Sequence, residues 1–297
     1  MLVLDKRKNR QAHRIVKHRP LIQAAATILC NIHLPNLLKG QIYQGQTKAL
    51  CVPGLNCYSC PAATGACPIG ALQSVAGSSR FSISYYVMGT LLLIGALMGR
   101  FVCGFLCPFG WFQELLHRIP GRKLRTERIK GLRFVKYIVL VVLVLVVPAI
   151  IRNEFGVGSP FFCKYLCPQG ILEGALPLAA ANSGIRSTLG LLFSWKLALL
   201  VAICLLSVFV FRPFCKWLCP LGACYALCNK ASLLRIRVDS SACVSCGRCS
   251  EVCQMDVDVT RTPDHGECIR CGKCISECPT DAISYCFGVR EREKEMG

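Results

Sequence analysis

Three times in this 297-residue chain a long apolar stretch runs out into the pattern Cys-x3-Cys-Pro, at Cys103/Cys107, Cys163/Cys167 and Cys215/Cys219. Apolar length and thiol spacing together limit what the chain can become. A helix needs about 20 apolar residues to cross roughly 30 Å of hydrocarbon, and residues 81–101, 134–151 and 189–211 meet that need. Residues 20–38 form a weaker fourth candidate, because Asn31, His33, Pro35 and Asn36 interrupt its second half. The expected fold is therefore mainly α, a four-helix transmembrane bundle with cysteines at the ends of its spans.

Downstream the spacing changes to Cys243-x2-Cys246-x2-Cys249-x3-Cys253, then Cys268-x2-Cys271-x2-Cys274-x3-Cys278-Pro279. In such a double run three cysteines of each group bind one [4Fe–4S] cube and the fourth binds the other. One cube is expected on Cys243, Cys246, Cys249 and Cys278, the second on Cys268, Cys271, Cys274 and Cys253. Residues 235–286 thus read as an α+β two-cluster ferredoxin-like domain. Before it, 1–19 read as a basic cytoplasmic segment and 20–234 as the spans with their cluster-binding loops. Residues 287–297 form a charged tail.

Twenty-three cysteines could serve other chemistry. Disulfide scaffolds belong to small secreted domains, which this chain is not. Zinc sites draw paired cysteines from separated knuckles rather than from compact C-x2-C-x2-C runs. Cys57-Tyr-Ser-Cys60 matches a thioredoxin-like C-x-x-C, but no βαβ pattern surrounds it, so cluster ligation is the better reading. No nucleic-acid module accompanies the net charge of +19, and no nucleic acid is expected as a partner. A cleavable signal peptide is not expected, because the first apolar stretch begins late and lacks a small-residue cleavage site.

The basic residues lie where topology can use them. Residues 1–19 hold seven Lys or Arg and 116–136 hold eight, whereas 39–80 and 152–188 hold three each. Positive charge is retained on the cytoplasmic side, which places the N-terminus and the 102–133 loop inside. Four spans then return the ferredoxin domain to the cytoplasm, giving a multi-pass plasma-membrane protein with both termini cytoplasmic. Cys103/Cys107 and Cys215/Cys219 fall at the inner ends of spans. Cys51, Cys57, Cys60, Cys67, Cys163 and Cys167 fall on the opposite side.

A Cys-Pro-x-Gly core recurs four times, at Cys67, Cys107, Cys167 and Cys219. Internal repetition implies one structural unit used repeatedly. Pro suits the first turn of the helix that follows, and that helix presents its positive end to an anionic cluster. Each Cys-x3-Cys supplies two thiolates and a cube takes four, so motifs on one side must combine. Inside, these are Cys103, Cys107, Cys215 and Cys219. Outside, Cys163 and Cys167 join two or more of Cys51, Cys57, Cys60 and Cys67, unless those four hold a cube alone. Spacing leaves both arrangements open.

On these motifs the chain resembles the NapH-type membrane polyferredoxins over almost its whole length. The match is direct for CGFLCPFG at Cys103/Cys107, for CKWLCPLGA at Cys215/Cys219 and for the eight ferredoxin cysteines. The resemblance implies electron passage between the quinone pool or cytoplasmic donors and periplasmic redox proteins. Cys163/Cys167 and the Cys51–Cys67 group depart from the family pattern and point to an outer cluster as the exit. The expected function is a transmembrane electron relay on about four [4Fe–4S] clusters, between a ferredoxin-like cytoplasmic donor and an extracytoplasmic redox acceptor. The alternatives are a quinol dehydrogenase component, with quinone as a partner, and a metal-sensing membrane regulator.

The remaining candidates read as structural. Cys30 and Cys204 are small apolar packing residues within spans, and Cys286 has no partner in sight. Cys224 and Cys228 share a helix face beside the Cys215/Cys219 motif. His33 fits a helix end better than a haem or quinone site.

Overall fold

The computed structural model describes residues 2–77, 84–151 and 158–288. The start of the expected crossing at 81–101 lies outside these residues. The molecule is mainly helical with one small C-terminal sheet.

Helix α1 runs from Leu2 to Cys30 without a break, although Pro20 lies inside it and has no N–H to donate. The basic segment is therefore the first part of a long helix, not a loose tail. Ala12 is buried against Ile236, Ile275 and Ile283 of the ferredoxin domain. Seven residues further on, Arg19 is buried in the bundle, and both it and Gln23 donate to the Gly104 carbonyl. One helix thus packs on both halves of the molecule.

The helices that follow are α2 (Pro68–Ala76), α3 (Ser84–Met98), α4 (Pro108–His117), α5 (Gly131–Ile150), α6 (Gly170–Ala181), α7 (Leu191–Phe209) and α8 (Pro220–Cys228). Among the described residues, only α5 and α7 are long and apolar enough to cross a membrane. Two of the four expected crossings thus have the length and composition of a span among the described residues. The crossing read at 81–101 stops at Met98, because Gly99 turns left-handed with φ 53°. The freed groups find partners there: Met98 O accepts from Arg270, and the Arg100 amide donates to Asn229 Oδ1. The stretch at 20–38 ends its helix at Cys30, where the Asn31 side chain donates to Thr27 O, and resumes only as a short turn at Pro35–Lys39.

Helices α2, α4, α6 and α8 are shorter; α2, α4 and α8 begin at the Pro of a Cys-Pro, and α6 begins two residues after one. Their first turns meet in the main core, where Ile69, Phe109, Phe162, Phe214 and Leu221 are buried among the thiols. In the C-terminal domain β1 (Leu234–Val238) pairs antiparallel with β2 (Ile283–Phe287), with Leu234 opposite Phe287 and Val238 opposite Ile283. This sheet brings the two ends of the ferredoxin segment together, so both cysteine runs lie between its strands in sequence.

Buried ion triads hold the two halves together. Glu267 of the ferredoxin segment lies between Arg100, at 2.7 Å, and Lys136. Asp256 lies between Lys216, at 2.8 Å, and Arg133, at 3.8 Å. Within the bundle, Glu114 binds Arg19 and, at 2.9 Å, Arg212. Arg133 and Lys136 therefore do more than flank a span: they are buried docking cations. Burial alone would raise the Glu267 pKa, but the Arg100 and Lys136 charges outweigh it and hold the carboxyl down at about 2.

Candidate iron–sulfur centres

Each Cys-Pro forms the same local device. Cys67, Cys107 and Cys219 cap their helices in an extended conformation, with ψ of 126°, 115° and 111°, and Pro takes the first helical turn. Cys167 has ψ 112° ahead of α6. The cap leaves the first-turn amides free to face sulfur, as Gly222 N–H does at 3.3 Å from Cys219 Sγ.

The inner set is Cys103, Cys107, Cys215 and Cys219, all buried and close enough for their charges to interact. Two arginines missed in the sequence hold it by reciprocal exchange. Arg100 lies three residues before Cys103 and donates to Cys215 O at 3.3 Å, while Arg212 lies three before Cys215 and donates to Cys103 O. The motif glycines make room for this crossing. A side chain at Gly110 would come within 2.8 Å of the Arg212 guanidinium, and one at Gly222 within 3.4 Å of Arg100. The sequence signal was Arg-x2-Cys-x3-Cys-Pro, present twice. Burial pushes the Cys107 thiol up to about 12, and the neighbouring Cys215 and Cys103 add to the rise.

On the other side, Cys51, Cys57, Cys67, Cys163 and Cys167 line a cavity of about 620 Å³. The structure thus brings two members of the Cys51–Cys67 group, Cys57 and Cys67, to the Cys163/Cys167 motif, with Cys51 beside Cys67. Cys60 is turned away: its Sγ lies 3.7 Å from Asn31 Oδ1 in a small separate core. Glu173, also missed in the sequence, accepts the Cys57 N–H at 3.0 Å. Burial pushes its carboxyl up to about 7, against the lowering effect of the Cys57 amide. Lys196 donates to Cys163 O at 3.2 Å.

The loop 51–57 links the two sets. Leu55 N–H points at Cys107 Sγ at 3.5 Å, and the Tyr225 hydroxyl donates to Pro53 O at 2.9 Å. Cysteines assigned by charge to opposite faces are thus neighbours across one short loop. On its far side the inner set meets the ferredoxin domain, since a side chain at Gly104 would lie 2.4 Å from Ile269 O. There Cys278 joins Cys243, Cys246 and Cys249 around one hollow. Cys253 shares a second hollow with Cys268, Cys271 and Cys274. The fourth cysteine of each run thus lies beside the first three of the other run, and Cys249 borders both hollows.

Apart from Cys224, the other candidates lie away from these sets. His33 stacks on Tyr43 with ring centroids 3.7 Å apart. Cys204 is within α7, Cys286 in β2 opposite Arg235, and Cys228 packs against Gly95. The Cys30 carbonyl accepts from Asn56 Nδ2, which leaves that cysteine a packing position at the end of α1. Cys224 packs beside the inner set.

Each donor set is all thiol and borders a core or hollow. All-thiol sets of four, spread around a hollow, are what [4Fe–4S] ligation uses.

Comparison with known proteins agrees. The family described as "4Fe-4S binding domain" matches residues 83–127, 137–176 and 192–239, one Cys-x3-Cys-Pro motif in each stretch. A second family of the same description matches 262–284, within the ferredoxin segment. An uncharacterized protein of Methanocaldococcus jannaschii is 26% identical over 207 residues, 68% of this chain and 78% of that protein. The methylamine utilization ferredoxin-type protein MauN of Methylorubrum extorquens is 26% identical over 200 residues, 64% of this chain and 56% of its own length. The ferredoxin-type protein NapH of Haemophilus influenzae is 28% identical over 163 residues, 41% of this chain and 56% of its own. The chain belongs to the membrane-associated ferredoxin-type polyferredoxins. No solved structure matches it. As a polyferredoxin it is an iron–sulfur electron-transfer protein that binds [4Fe–4S] clusters.

Proposed function

We propose that this polyferredoxin relays single electrons across the plasma membrane on four [4Fe–4S] clusters, between a ferredoxin-like cytoplasmic donor and an extracytoplasmic redox protein. In this reading the chain is multi-pass and both termini are cytoplasmic. Two clusters belong to the ferredoxin cysteines, one to Cys103, Cys107, Cys215 and Cys219, and one to Cys57, Cys67, Cys163 and Cys167. The ferredoxin-type naming of MauN and NapH supports the class of activity.

The observation that carries the reading is the continuity of the ligand loops. Gly104, between Cys103 and Cys107, touches Ile269, between Cys268 and Cys271, and Leu55 contacts Cys107 two residues before Cys57. Bound clusters supply one-electron carriage, and the protein determines their spacing, burial and potential. Buried Arg100 and Arg212 offset the negative charge of the inner set, and Lys196 does so at the outer set.

Four cubes require about 16 Fe per chain at four irons each. Anaerobically purified protein with only about 8 Fe would leave the membrane motifs without a role. In sealed vesicles, a Cys163→Ser/Cys167→Ser variant should be reduced normally from the ferredoxin side and fail to reduce an impermeant acceptor outside. Wild-type delivery by that variant would remove the outer set from the route.

A second reading, exchange with quinone, is favoured by one feature. A cavity of about 780 Å³ opens between α5, α8 and the 261–267 loop, with Phe134, Tyr137 and Leu227 as apolar walls and His265 as a polar group. Oxidation of dithionite-reduced protein by a quinone analogue, with loss of that oxidation in Tyr137→Ala, distinguishes this reading from the first.

A further inference from the structure

The residue six positions after the second cysteine of each repeat is Gln73, Gln113, Glu173 and Tyr225 in turn. Gln73, Gln113 and Glu173 each reach across to the motif paired with their own, and Tyr225 reaches the 51–57 loop. Glu173 accepts the Cys57 amide and Tyr225 donates to Pro53 O, so these two hold the 51–57 loop by its backbone. The two glutamines do something different, and they do it identically.

Gln73 is fully buried, and its Nε2 donates to Cys163 Sγ at 3.1 Å and to Ile69 O at 3.2 Å. Its Oε1 accepts Phe162 N–H at 3.0 Å. Gln113, equally buried, donates from Nε2 to Cys215 Sγ at 3.1 Å and to Phe109 O at 3.3 Å. Its Oε1 accepts Phe214 N–H at 3.2 Å. In both cases the amide is fixed at three points, and one N–H is left no partner but the first sulfur of the opposite motif. An amide anchored by two backbone groups cannot flip without losing the Phe162 or Phe214 contact, so the donor stays aimed at sulfur.

We propose that Gln73 and Gln113 are matched positioning residues. Each raises the reduction potential of one membrane centre by donating an N–H to a ligand sulfur. This inference rests on the assignment of a cluster to each set. Reduction adds negative charge that spreads onto the ligand sulfurs, so a fixed donor stabilises the reduced form more than the oxidised one. The two centres thereby receive the same side-chain donor from sequence positions 40 residues apart.

The test is an EPR-monitored redox titration of full-length, anaerobically prepared protein, with iron counted on each sample. Gln113→Met keeps the side-chain volume and removes the donor. It should lower the midpoint of one membrane centre so that its reduced-to-oxidised ratio at fixed ambient potential falls about tenfold, or about 59 mV for one electron. Gln73→Met should do the same to the other centre and leave the first unchanged. Gln113→Glu and Gln73→Glu keep the oxygen that accepts the backbone amide, and ionised they should lower the same midpoints. Unchanged midpoints with full iron content would overturn the proposal. Loss of one centre from both of its variants would overturn it too, since the amide would then be a structural prop. Wild-type protein lacking two membrane-centre signals would instead overturn the cluster assignment.

Discussion

At the scale of the residue, the inner site is built by exchange. Arg100 and Arg212 each cross to the other motif's backbone, and neither crossing exists until both short helices are in place. Glu114 completes the device, because its carboxylate neutralises Arg212 and also ties in Arg19 from α1. Burial alone would raise its pKa, but the two guanidiniums outweigh that and hold it below the usual carboxylate range. The sign follows: its stabilisation is present above pH ~4, the ordinary carboxylate value, and is lost as pH falls through its lowered pKa. Glu114→Gln would leave two buried arginines without a counter-charge, a loss of about 3–5 kcal/mol. A thermal or denaturant unfolding series should show that loss, and a change below about 1 kcal/mol, the scale of an exposed pair, would show that the triad is solvated.

At the scale of the element, α1 and the half-length helices decide the architecture. Ala12 on α1 is 4% exposed within the ferredoxin core. Ala12→Asp places an unpaired charge there, which is costly unless the contact opens. The expected result is faster amide exchange and proteolysis in the first part of α1, with the inner set intact. Protection unchanged from wild type would show that α1 does not clasp the domain. The sequence made the cysteine runs, the ferredoxin segment and the Cys-Pro caps legible, because each is a local spacing. The end of the 81–101 stretch was not legible, because hydropathy passes straight over Gly99, whose left-handed turn ends α3. Gln73, Gln113 and Glu173 were illegible because their partners lie 89 to 116 residues away. The approach of the 51–57 loop to Cys107 was illegible for a related reason: charge counting assigns sides, and it cannot see a loop that dips into the bundle.

At the scale of the whole molecule, two acidic groups of the ferredoxin segment are clamped by four cations of the bundle. Glu267→Gln combined with Asp256→Asn should release the domain from its seat while its own eight cysteines remain together. Spin–spin coupling between the ferredoxin and inner centres would then weaken, and reduction of the inner centre through the ferredoxin domain would slow by about tenfold or more. Coupling and rates equal to wild type would show that the apolar contacts alone fix the seat.

The bare backbone at Gly104 has a consequence for how the protein is made. With Ile269 O pressed against it, the four inner thiols, none more than 8% exposed, are sealed beneath the docked domain. A scaffold that hands over a preformed cube must reach thiolates, so delivery to the inner set has to precede closure of the lid that the C-terminal domain forms. On the proposed assignment of a cube to this set, the order of synthesis would suit that requirement, since the membrane half is translated before the cysteines of the closing domain.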